Sequence, residues 1–183
     1  MNIIFAIPGF RTDAQSVEGR AVREVVSACA KAVGSAEFKP GAVVFRIDRA
    51  FSPRASKETN ARALEVLLAA LCALDRIWLA SGRGALPLYS TPVYYARTMV
   101  WDTIPALYAR GYGDCKSLSA CRVAELREAG TWCRPVFRFQ GTPRSTLFHI
   151  LIMFEDGSWE CPSALLGMHA NQERADFAPV SVY

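Results

Sequence analysis

Gly113-Asp114-Cys115, followed by a helical stretch and later by Phe148-His149-Ile150 inside an apolar strand, decides how this chain reads. Glycines before the cysteine let the backbone turn tightly. A helix N-terminus beginning at the cysteine offers unpaired N–H groups and the positive end of a dipole, which favour thiolate over thiol. A histidine accepts or returns a proton near neutral pH. Thirty-four residues separate Cys115 from His149, so tertiary folding alone can bring the pair together.

The elements around this pair follow from pattern. Asn2 to Ile7 is β-rich and stops at Pro8-Gly9. Thr12 or Asp13 can cap a helix that runs to about Val33 and is closed by Gly34. Ala42 to Asp48 reads as a strand broken by Ser52-Pro53. Ser56 caps the strongest helix, about Lys57 to Ala80, with Leu64, Leu67, Leu68, Leu71 and Trp78 at helical spacing. Ser81-Gly82-Arg83-Gly84 ends it, and Leu86 to Tyr89 is an extended loop. Thr98 to Arg110 reads as a short helix with Pro105 near a break, and Cys115 to Ala129 as a helix closed by Gly130. Arg134 to Phe139, Thr146 to Phe154 and Ser158 to Cys161 are three strands, and Val180 to Tyr183 is a candidate last one. Helices followed by consecutive antiparallel strands predict an α+β fold. The chain reads as a single domain over 1–183, with a β-α-β extension over about 1–55 and a core over about 56–183.

A chain of 183 residues with 51% hydrophobic and 21% charged residues is globular and long enough for one real core. The net charge of +4 comes without any Lys/Arg run, so nucleic acid is not an expected partner. Met1-Asn2-Ile3-Ile4-Phe5 lacks the basic region and cleavage site of a signal peptide, and the chain is not expected to be secreted by one. The longest apolar run, Val66 to Leu74, stops at Asp75-Arg76, too short to span a membrane. Six cysteines occur without a CxxC, and the histidines are His149 and His169, which argues against structural zinc; no metal or cofactor is expected. Cys29 and Cys72 lie within helix patterns, Cys121 points far around its helix from Cys115, and Cys133 starts a strand. Cys161 alone among the others has a site role available to it.

Hairpin parity suggests a third site member. If Asp156-Gly157 is a two-residue turn, Glu155 faces Ser158, Phe154 faces Trp159 and Met153 faces Glu160. Alternation puts His149, Leu151 and Met153 on one face, and Glu160 would share it and orient the imidazole. A one-residue bulge would exchange Glu160 for Cys161.

Together, Gly113-Asp114-Cys115-Lys116-Ser117-Leu118, Ala124-Glu125-Leu126, Gly130, His149 and Asp156-Gly157-Ser158-Trp159-Glu160-Cys161-Pro162-Ser163 resemble the transglutaminase-like superfamily. The chain is most similar to short members encoded by tailed bacteriophages, which tend to carry segments like Leu88-Tyr89, Val93-Tyr94-Tyr95, Trp101 and Leu166-Gly167-Met168. The resemblance covers about residues 60 to 170. It implies a papain-like core with the cysteine on a helix and the histidine and an acid on a sheet. Two departures stand out. Lys116 and Ser117 replace the usual acidic residues after the cysteine, and Cys161 replaces the family's Asp before proline.

Two functions are open on these residues. In one, Cys115, His149 and Glu160 form an acyl-transfer site acting on amide or peptide substrates, as a thiol hydrolase or a crosslinker; Cys115 N–H and a group such as Trp101 would serve the oxyanion. In the other, the fold is a non-enzymatic structural or assembly part whose partners are other virion proteins. Both imply a protein of the host cytoplasm during phage assembly, or of the virion.

Overall fold

The computed structural model describes residues 1–48, 50–51, 55–84, 86–142, 145–168 and 178–179. The elements run β1 (Asn2–Ala6), α1 (Val17–Val33), β2 (Gly34–Lys39), β3 (Ala42–Ile47), α2 (Lys57–Ala80), a 3₁₀ turn (Leu88–Ser90), β4 (Tyr94–Tyr95), β5 (Trp101–Asp102), α3 (Ile104–Arg110), β6 (Tyr112–Gly113), α4 (Cys115–Glu128), β7 (Cys133–Thr142), β8 (Ser145–Phe154), β9 (Trp159–Glu160), α5 (Pro162–Leu165) and β10 (Ala178–Pro179). The fold is mixed α+β. The break at Ser52-Pro53 and the strand expected over Val180 to Tyr183 lie outside the described residues. No helix among the described residues is long and apolar enough to cross a membrane.

Helix α2 is the axis of the molecule. Ser56 caps it by accepting from Thr59 N–H. Its apolar residues occupy more than one face: Leu64, Leu67, Leu68, Leu71 and Leu74 are all buried, because α1 packs on one side and α4 on another. Each such leucine contributes about 1.5–3 kcal/mol of burial. The first sheet has strand order β2-β3-β1-β5, and the second β10-β7-β8-β9. One core cluster draws Phe5, Val43 and Phe45 from the first sheet, Leu67 and Leu68 from α2, and Ile150 and Ile152 from β8. The N-terminal segment is therefore built into the same core as the rest.

Three local expectations are corrected. Ser16, not Thr12 or Asp13, caps α1; Asp13 instead accepts from the Gln15 and Ser16 N–H groups ahead of the helix. Gly34 closes α1 as expected but also opens β2, an unforeseen edge strand paired along its length with β3. Trp101-Asp102 is not helical: it pairs in parallel with Phe5-Ala6, its ring stacked on Phe5 with centroids 5.3 Å apart. Helix α3 begins only at Ile104, and Pro105 sits in its first turn, where a missing N–H costs nothing.

Asp75 explains why α3 starts there. Its buried carboxylate, reaching across from α2, accepts the Ile104 N–H at 2.7 Å. Burial pushes the carboxyl well above its usual value of 3.8. The folded state thus keeps a proton that the unfolded chain releases, so this group's contribution to stability is lost as pH rises above 3.8. Asp75→Ala is expected to cost about 1–3 kcal/mol by orphaning the Ile104 donor. Asp75→Asn keeps an acceptor and removes the proton linkage, so its urea midpoint should gain on the wild type as pH rises from acid to neutral.

Candidate active site

Helix α4 begins at Cys115, with Asp114 as its N-cap accepting from Lys116 N–H at 3.2 Å. The turn before it is tight. A Cβ on Gly113 would lie 2.5 Å from Leu107 Cδ1, inside a fully packed region. Gly113→Ala should therefore destabilise the fold by about 1–3 kcal/mol in a denaturant titration, because overpacked cores accommodate poorly.

Helix α4 packs on β8. Ser119 Oγ donates to Ile150 O at 3.3 Å, and the Ile150 backbone N–H favours the charged form of the Cys115 sulfur. The start of α4 is thereby tied to the residue that follows His149 in the strand. Cys115 and His149 both line a cleft of about 540 Å³, together with Tyr95, Arg97, Trp101 and Phe148. The structure thus brings two of the expected site residues to one cavity.

It does not bring the third. The turn after β8 is a three-residue loop: Gly157 N–H donates to Phe154 O at 3.1 Å, and Phe154 N–H to Ser158 O at 2.9 Å. Gly157 takes φ 81°, the left-handed residue of a type I turn with a bulge. Register shifts by one, so that Ile152 faces Glu160 and Met153 faces Trp159. The expected pairing of Met153 with Glu160 is corrected. Glu160 lies on the far face, where it accepts from Tyr89 Oη and, at 3.0 Å, from Arg122 Nε. It ties β9 to α4 and does not orient the imidazole. Cys161 takes the near face, its sulfur 3.1 Å from His149 Nε2.

The electrostatics also differ from the expectation of a thiolate. Burial, then the Asp114 carboxylate, push the Cys115 thiol up to about 12, outweighing Lys116 and the Ile150 N–H. The Lys116 ammonium is spent on Asp114 and on Thr98 O. Burial, then the Arg138 guanidinium, push His149 down to about 4. Arg138 stands directly opposite His149 across β7 and β8, a neighbour the sequence did not reveal because the register of that hairpin was unknown. At rest the cleft holds a neutral thiol and a neutral imidazole. Alkylation of Cys115 by iodoacetamide, read by peptide mapping, should rise about tenfold per pH unit, with no plateau below about 12.

No family model matches the chain, and no curated protein or solved structure matches it either.

Proposed function

We propose that the chain is a transglutaminase-like protein with a papain-like core, in which Cys115 carries out acyl transfer on amide or peptide substrates and His149 moves the proton. One observation supports this reading: Cys115, at the start of α4, and His149, on the strand that α4 packs against, line one cleft. With the pair neutral at rest, His149 takes the thiol proton as the sulfur attacks the carbonyl carbon. The tetrahedral oxyanion is served by the N–H groups of the first turn of α4. His149 then returns the proton to the leaving amine, and a thioester remains. Water or a second amine resolves it, which distinguishes hydrolase from crosslinker. A pair that is neutral at rest makes for slow chemistry. The test is incorporation of a fluorescent primary amine into a glutamine-containing protein, with ammonia release followed in parallel. Signal lost in Cys115→Ala supports the reading; signal unchanged in that variant refutes it.

A second reading has its own support. Glu160 faces away from His149, and Leu86, Tyr89 and Tyr94 are exposed on the surface, as an assembly part would require. The chain would then be a structural component of a tailed phage, in the host cytoplasm during assembly or in the virion. Its presence in purified particles together with inert Cys115 chemistry would favour this reading.

A further inference from the structure

We propose that the cleft at Cys115 is an acyl pocket: it selects an acyl donor that carries a large apolar chain or ring on the acyl side of the scissile bond, with Met99 as its exposed lip. This inference rests on the cysteine-nucleophile reading above and names the substrate class of that site. The walls come from elements distant in sequence. Ile3 stands on β1, Leu64 on α2, Trp101 on β5 and Phe148 on β8, and Met168 follows α5. Ile3, Leu64, Trp101 and Met168 are buried, and Phe148 is partly buried. Ile3, Leu64 and Trp101 belong to the main core cluster and Phe148 packs against it, so the cleft is an opening of the core onto the surface. The Trp101 ring is stacked on Phe5, which fixes that wall.

The polar groups of the cleft leave this surface to an apolar occupant. Lys116 and Asp114 bond to each other, and Lys116 Nζ also donates to Thr98 O at 2.7 Å. Arg97 is exposed. A polar side chain in the cleft would lose its water and find no partner on Ile3, Leu64 or Phe148, whereas each buried methylene is favoured. Size points the same way. The cleft of about 540 Å³ lies within the range of about 300–1,000 Å³ typical of small-molecule sites, and an acetyl group fills only a small part of it. Met99 lines the cleft and yet is 91% exposed. An apolar chain reaching out from the sulfur would cover it, and an unbranched, flexible thioether adapts to apolar groups of varied shape.

The test uses the full chain and the p-nitrophenyl esters of acetic, butyric and hexanoic acid, with N-acetylcysteine as the reference thiol. In each reaction the Cys115 sulfur bonds to the carbonyl carbon and the bond from that carbon to the phenolic oxygen breaks. Nitrophenolate leaves, the thiol proton passes by way of His149 to solvent, and peptide mapping locates the acyl group. Relative to the reference thiol, the rate at Cys115 should rise about threefold per added methylene, on the order of 10²-fold from acetate to hexanoate. Met99→Ser, at a position outside the core, should lower the hexanoate rate more than the acetate rate. The pocket is also read without chemistry: in Cys115→Ala, hexanamide should shift the NMR signal of the Trp101 indole at concentrations where acetamide does not. Acylation of Cys115 at rates that only track the reference thiol, with no hexanamide shift, would overturn the pocket while leaving the nucleophile intact. Equal losses for both esters in Met99→Ser would overturn the lip. A hexanamide shift with no acyl group on Cys115 from any ester would instead overturn the underlying reading.

Discussion

Cys115→Ala is expected to abolish acyl transfer completely, to the background of buffer alone. Cys115 is the one thiol that lines the cleft. Cys29, Cys72, Cys121 and Cys133 are buried away from the cleft, and Cys161, 3.1 Å from His149 Nε2, is not among the residues lining it. The substitution is structurally mild, since it removes one small buried atom and the strand facing it, β8, is held by β7. Loss of activity with an unchanged denaturation midpoint is therefore the expected signature, read by amine incorporation and by circular dichroism on the same preparation. Cys115→Ser should be nearly as inactive, because a hydroxyl in the same buried position is a far weaker nucleophile than a thiol.

His149→Ala should lower the rate by about 10²–10⁴-fold at neutral pH, the range typical of removing a positioned acid–base group. The dependence on this residue is sharp because the thiol is held near 12: without a base at hand, very little thiolate forms. The loss should shrink as pH rises, since hydroxide then substitutes for the imidazole. A wild-type profile with its acid limb near 4, where His149 becomes charged, is the companion observation. Arg138→Met should shift that limb upward, because it deletes the guanidinium opposing the imidazolium.

The parts of this architecture that were legible in the sequence are those fixed by local chemistry. Ser56 and the leucine spacing gave α2 its observed bounds, and the turn before Cys115 gave α4 its start. The parts that were not legible depend on distant pairing. Trp101-Asp102 is a strand only because Phe5-Ala6 lies beside it, and β2 is one only because β3 does. The hairpin was the instructive case. Asp-Gly suits a two-residue turn and equally the last two positions of a three-residue loop, and Gly157 needs a positive φ in either. The choice was made by Phe154 pairing with Ser158, and it exchanged Glu160 for Cys161 beside His149. Likewise, helix-start position alone suggested a lowered thiol pKa, but burial and Asp114 outweighed it.

The most direct test of the central claim is to trap the acyl-enzyme. The chain is mixed with p-nitrophenyl acetate, quenched in acid and mapped by mass spectrometry. The account predicts a nitrophenolate burst and an acetyl thioester on Cys115, formed more slowly in His149→Ala. Acetyl groups on Cys161 with Cys115 unmodified, or no thioester at all on a folded chain, would contradict it.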